Sequence, residues 1–104
     1  MKNNKLVRNK IPEIIKKKGK IPITHIASDL EYWEKLKQKF MEEVEEYLAD
    51  ENEEELAEVL EVINAIYDFK KIKKTKLEAM RKKKAKERGG FKKRIILQET
   101  KETG

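Results

Sequence analysis

The sequence predicts an all-α protein, an antiparallel helical bundle accompanied at most by a minor short β pairing. Three observations predict it. Capping-box patterns occur at Ser28-Asp-Leu-Glu31 and Thr75-Lys-Leu-Glu78, and Asn52-Glu-Glu-Glu55 is the asparagine version. Apolar residues follow each of them at spacings of three and four. Only Asp50-Glu51-Asn52 separates the two longest runs, so those helices should fold back on each other as a hairpin.

Taken in order, Arg8 to Lys18 reads as a short helix with Ile11, Ile14 and Ile15 on one side and Pro12 tolerated in its first turn. Ile23 to Ala27 has β-branched character, as does Arg94 to Gln98, and the two are the candidates for the small β pairing. Helices are expected at about 29–49, 53–72 and 76–88. The first carries Leu30, Trp33, Leu36, Phe40, Val44 and Leu48; the second carries Leu56, Val59, Leu60, Ile63, Ile66 and Tyr67. Both are wide core-facing stripes. The third has only Leu77, Met80 and Ala79, so it is expected to be largely solvated or to lean on a partner. Gly89-Gly90 ends it, and Glu99 to Gly104 is expected to fray.

A chain of 104 residues implies one domain, 1–104, with one modest core. Hydrophobic residues are 38% and charged residues 44%, a ratio that forms a core only because the apolar residues are periodic. There is no Cys for disulfides or thiolate metal sites. The opening MKNNKLVRNKIPEII lacks the apolar run of a signal peptide, and no segment approaches the roughly 20 apolar residues of a membrane span. A cytoplasmic protein is the expectation. The net charge of +6 hides a strong polarity. Residues 41–69 contain no Lys or Arg, whereas residues 70–94 contain fourteen, against only Glu78 and Glu87.

The acidic stretch MEEVEEYLADENEEELAEVLE places eleven carboxylates between residues 41 and 61. Two carboxylates about 4 Å apart repel by roughly 1 kcal/mol in water and about 4 kcal/mol at a partly shielded site. Glu42 and Glu46 are four apart, Glu43 and Glu46 three apart, and Glu55 and Glu58 three apart, spacings that make neighbours on a helix. Glu43 extends the line Leu36, Phe40, Tyr47, while Glu55 and Glu58 lead into Val62, Ala65 and Phe69. Glu43 and Glu58 are each about seven residues, roughly 10 Å, from the turn, so the acidic pairs of the two helices can come alongside. Converging carboxylates suit a hard divalent cation such as Mg²⁺ or Mn²⁺. Two other readings stay open: a solvated Glu-rich face, and pairing with basic residues of 70–94.

Glu42-Glu43-Val-Glu-Glu46 followed by Glu55-Leu-Ala-Glu58 resembles the EExxE…ExxD signature of the MazG-like, all-α nucleotide pyrophosphohydrolases. Three blocks resemble the phosphoribosyl-ATP pyrophosphohydrolase-like branch of that superfamily more closely: Lys5-Leu-Val-Arg-Asn-Lys-Ile-Pro12, Glu55-Leu-Ala-Glu-Val-Leu-Glu-Val-Ile63 and Arg88-Gly-Gly-Phe-Lys-Lys-Arg-Ile95. The resemblance implies a helical hydrolase that cleaves a nucleoside triphosphate between the α and β phosphorus, releasing the monophosphate and pyrophosphate. It implies that Glu43, Glu46, Glu55 and Glu58 are catalytic and hold Mg²⁺ (Mn²⁺ as a substitute), with Glu42 a secondary ligand. The metal would neutralise the phosphates and lower the pKa of an attacking water, which a spare carboxylate would orient. Arg8, Lys10, Arg88 and Arg94 lie in the matching blocks and would bind the phosphates. Glu58 departs from the signature's Asp by one methylene, and Asn9 stands where the branch commonly shows Asp.

Several residues take a plainer reading. His25, the only histidine, is expected to be structural or exposed. Trp33 falls on the core stripe, where packing is expected rather than base stacking, and Tyr47 and Phe69 fit contact with a base and a helix–helix seam equally well. Gly89-Gly90 is as well explained by a helix stop as by close approach to phosphate. The nucleotide substrate is the expected partner, with a homo-oligomer of dimer size or larger; nucleic acid and membrane are not expected. Two alternatives stand beside the enzyme: a basic helical nucleic-acid-binding module built on Lys70 to Arg94, and an inactive oligomerisation protein of the same fold.

Overall fold

The structure, a computed structural model, describes residues 4–103; the first three residues of the N-terminal segment, and the last residue of the tail expected to fray, lie outside the described residues. The chain forms two compact units, Met1–Lys71 and Ile72–Gly104. The described residues are all-helical, with no strand among them. The first unit holds α1 (Ile11–Lys17), α2 (Asp29–Asp50) and α3 (Glu53–Phe69); the second holds α4 (Lys74–Arg88).

Local chemistry sets most of the ends. Pro12 sits in the first turn of α1, where its missing N–H is no loss. The helix closes on Gly19 at φ 81, with Gly19 N donating to Lys16 O and Lys20 N to Ile15 O, a pair of bonds that satisfies its last carbonyls. Ser28 Oγ accepts from Glu31 N at 3.2 Å and Asn52 Oδ1 from Glu55 N at 2.8 Å, so both expected caps form. Between α2 and α3, Glu51 turns the chain in the left-handed region at φ 51. A side chain there costs about 1 kcal/mol or more relative to glycine. Glu51→Gly is therefore expected to stabilise the hairpin by up to about 1 kcal/mol in urea unfolding, and a destabilisation would contradict this view of the turn.

Three boundaries and one pairing differ from the sequence-based expectation, the first being α1, which starts at Ile11 and not at Arg8. α3 stops at Phe69, because the buried face ends there and Lys71 turns left-handed at φ 57. α4 starts at Lys74, so Thr75 lies inside it and caps nothing; Glu78 instead takes Arg81, whose Nε lies 3.1 Å from both carboxylate oxygens. The expected β pairing of Ile23 to Ala27 with Arg94 to Gln98 does not form, since neither segment is a strand. Ile23 is 97% exposed, and Ile95, Ile96 and Leu97 are exposed as well. An isolated ribbon with no layer to cover it is marginal in water. Gly89, at φ 84, ends α4 as expected.

α2 and α3 pack side by side and form the core of the first unit. Leu36 (1% exposed) and Val62 (7%) are its buried apolar residues, with Trp33, Phe40, Tyr47, Ile66 and Phe69 half-buried. Phe69 closes one end: its ring stacks on Trp33 at 5.6 Å and meets Tyr32 edge-on at 5.3 Å, and Lys70 Nζ lies 4.2 Å from the centre of the Trp33 ring. The pairing of Tyr32 and Trp33 near the start of α2 with the last residue of α3 is the antiparallel hairpin. The wide stripes are buried only in part. Leu30 is 74% exposed, and Leu48, Leu56 and Leu60 are exposed too. Two helices bury only the strip between them, and the seven-residue α1 is too short to cover the rest. No helix is long and apolar enough to cross a membrane among the described residues.

In the second unit every described residue is exposed, which agrees with the scarcity of apolar positions along α4. His25 is exposed and bonds Glu31 at 2.8 Å.

Candidate metal centre

One turn of α2 presents Glu42, Glu43 and Glu46 together, with one carboxylate oxygen of each within 4.8 Å of the others. The three differ in environment: Glu43 is 5% exposed, Glu42 half-buried and Glu46 exposed. Glu43 sits on the strip that also buries Leu36, so its carboxylate is held in the seam. Burial pushes its pKa above the usual carboxylate range, and the neighbouring Glu46 charge pushes the same way, while Lys39 opposes both.

On α3, Glu55 and Glu58 are both half-buried. Glu55 Oε2 is a buried oxygen with no hydrogen-bond partner. Such an acceptor costs about 1–3 kcal/mol unless a cation or an ordered water satisfies it. Glu58 Oε2 accepts from Arg8 Nη2 at 2.9 Å. This bond raises the pKa of Arg8, and the charges of Glu61 and Glu43 add to it, so the guanidinium lies in the field of both helices. The expected four-carboxylate cluster is thus only partly drawn together. Glu42, Glu43 and Glu46 form one group, and Glu55 and Glu58 stand outside it, Glu58 on Arg8.

The acidic stretch takes its counter-ions from within the first unit. Lys39 Nζ lies 3.3 Å from Glu43 Oε1 and 3.8 Å from Glu42 Oε1, and Lys5 Nζ lies 3.3 Å from Glu42 Oε1. Lys39 is legible in the sequence, four residues before Glu43. Lys5 and Arg8 are not, because only the tertiary fold carries the N-terminal segment over both helices. Lys10 is exposed at the N-cap of α1. Arg88 and Arg94 belong to the second unit: Arg88 closes α4, and Arg94, at φ 56, donates its backbone N–H to Phe91 O at 3.0 Å.

The residues present fit a hard divalent cation. All the donors are carboxylate oxygens, the central one is buried against its charge, and a further buried oxygen lacks a partner. A pH dependence follows. Because the folded pKa of Glu43 is raised above its ordinary 4.5, its proton contributes stability fully present below that value and lost as pH rises through the raised folded value. In EDTA the melting temperature is expected to fall across that window, and Mg²⁺ is expected to restore more of it at higher pH. Melting curves at a series of pH values check this; a Mg²⁺ effect that shrinks with rising pH would contradict it.

No protein-family model and no solved structure matches the chain. A stretch of 44 residues is 48% identical to an uncharacterised protein of Mycolicibacterium smegmatis, covering 42% of this chain and 45% of that protein. The match thus spans less than half of the relative's length, and its description assigns no activity.

Proposed function

We propose that the chain is a Mg²⁺-dependent nucleotide pyrophosphohydrolase of the MazG-like, phosphoribosyl-ATP pyrophosphohydrolase-like kind, which cleaves a nucleoside triphosphate or related nucleotide to the monophosphate and pyrophosphate. The observation that carries this reading is the buried Glu43 carboxylate grouped with Glu42 and Glu46, beside a helix that offers the partnerless Glu55 oxygen. Burial and Glu46 keep the Glu43 carboxylate costly to ionise despite Lys39, and a divalent cation would offset that cost.

In this reading Glu42, Glu43, Glu46 and Glu55 hold the cation, and Glu58 divides its role between the cation and Arg8. Mg²⁺, when bound, supplies charge neutralisation of the phosphates and lowers the pKa of a water at the site. Glu46, exposed at the rim, accepts a hydrogen bond from the attacking water and orients it. Glu58 holds the Arg8 fork in place, ready for bidentate contact with a phosphate. Its extra methylene relative to the Asp of the signature lengthens that reach. Lys10, in the same unit, supplies further positive charge. An enzyme of the nucleotide pool belongs in the cytoplasm.

The exposed Leu30, Met41, Leu48, Leu56 and Leu60 of the hairpin support a homo-oligomer, in which a second copy covers what two helices leave open. A panel of nucleoside triphosphates, assayed for pyrophosphate with and without Mg²⁺, tests the activity. Release from at least one nucleotide is expected only with the cation. No release from any, or release unaffected by EDTA, would overturn the reading.

A further inference from the structure

The helix of the second unit, α4, carries eight cations, among them Lys82, Lys83 and Lys84 in succession, against only Glu78 and Glu87. At 3.6 residues per turn they fall on every side of it. Lys74, Arg81 and Arg88 share one line, and Lys76 and Lys83 the opposite one. Lys82 and Lys86 lie between these lines on one side, Lys84 on the other. Leu77 and Met80 begin an apolar stripe, but the positions that would continue it, Arg81 and Lys84, are cations. No side is therefore left for insertion among lipid tails, which needs an apolar face. The helix also has little of its own to hold it. None of its residues is buried, no side chain caps its start, and Lys74 and Lys76 stand in the first turn, where the dipole favours carboxylates. Lys82 and Lys86 repel at a spacing of four, as do Lys84 and Arg88. Fifteen residues without tertiary cover make a marginal helix in water.

The sequence alone sets an acidic stretch against any anionic partner. In the structure that stretch takes Lys5, Arg8 and Lys39 of its own unit as counter-ions. Among the described residues of the second unit, only Arg81 and Lys101 lie on carboxylates, those of Glu78 and Glu99. We propose that α4 is a docking surface for double-stranded DNA, seated in the major groove and held by phosphates without sequence preference. A ligand that satisfies cations all round a rod must carry anions on both sides of that rod. The major groove of B-form DNA is about 12 Å wide, admits a helix about 10–12 Å across, and is walled by a phosphate backbone on each side. Fifteen residues span about 22 Å, the length of about six or seven base pairs. The deep, narrow major groove of double-stranded RNA does not admit such a rod. α4 holds no Asn or Gln to pair with adenine, and Arg81 is held by Glu78, so contacts to the backbone dominate. Beyond Gly89 the exposed Lys92 and Lys93 continue the charge. This surface does not depend on the proposed reaction.

Fluorescence anisotropy of a labelled DNA duplex of mixed sequence, titrated with the full chain at a series of KCl concentrations, tests this. The expected Kd is about 1–10 µM at about 0.1 M KCl, and log affinity should fall against log salt with a slope of about −5, as for about five or six phosphate contacts. The triple variant Lys82→Gln, Lys83→Gln, Lys84→Gln keeps helix-forming side chains at exposed positions. It is expected to bind about 10- to 100-fold more weakly, with a slope nearer zero by about 2 to 3. Lys16→Gln, Lys17→Gln, Lys18→Gln removes the same charge from exposed positions of the first unit and is expected to change the slope by less than about 1. Equal losses in the two triple variants would overturn the proposal, as would double-stranded RNA bound as tightly as DNA. An affinity for DNA weaker than about 100 µM at about 0.1 M KCl would overturn it too, and binding to phosphatidylserine vesicles in that case would assign the surface to lipid.

Discussion

Glu43→Gln is expected to abolish pyrophosphate release while making the metal-free protein more resistant to heat. The two effects have one cause. Glu43 is 5% exposed, and burial together with Glu46 makes its ionised form costly, which is why its pKa lies above the ordinary value. Glutamine keeps the shape and removes the charge, so melting in EDTA at neutral pH should occur at a higher temperature than in wild type. In the proposed cation site the same change replaces the central carboxylate by a neutral amide, a much weaker ligand for a hard dication, and the rate with Mg²⁺ should fall by at least about a hundredfold. Stability yielded for function is the usual pattern at a binding site. Initial rates and melting curves on one preparation read both effects. Full activity in the variant would end the assignment of Glu43. A lower melting temperature in EDTA would show that Glu43 contributes through its bonds to Lys39 rather than as a strained ligand.

Leu36→Ala is expected to produce the largest loss of stability of any single truncation in the first unit. Leu36 is the fully buried side chain of the α2–α3 seam, one turn before Phe40 and two before Glu43. Truncating a buried leucine costs about 2–5 kcal/mol through lost transfer energy and the cavity left behind. Proteins of this size have about 5–15 kcal/mol in total. The loss should also lower metal affinity, because the same seam holds Glu43. Leu30→Ala, at a position 74% exposed, is expected to change stability by no more than about 0.5 kcal/mol. Urea unfolding of the two variants makes the comparison. Equal losses would mean that the hairpin seam is not where the core lies, and that Leu30 is covered by another copy.

The caps explain why much of the fold is legible in the sequence. At Ser28 and Asn52 the side chain and the N–H it accepts from are three residues apart, so the decision is local. Thr75 has the same pattern and fails, because the carboxylate that would complete its box goes to Arg81 and the helix starts earlier. Strand propensity at Ile23 and Ile95 is equally local, but a ribbon needs a covering layer, which no short window encodes. The apolar stripes show which faces avoid water without showing how much of each a partner covers; hence Leu36 is buried and Leu60, on the same expected core, is not. The acidic group divides in the same way. Helical spacing alone brings Glu42, Glu43 and Glu46 together on one turn. The place of Glu55 and Glu58 depends on the turn, the seam and Arg8, a residue fifty positions from Glu58.

An anomalous difference map from crystals grown with Mn²⁺ measures the central point most directly. The expected result is a single strong peak among the carboxylates of Glu42, Glu43, Glu46 and Glu55, with Lys39 withdrawn from Glu43. A map with no peak there, and with Lys39 still paired to Glu43 at saturating Mn²⁺, would contradict a divalent-cation site on this hairpin.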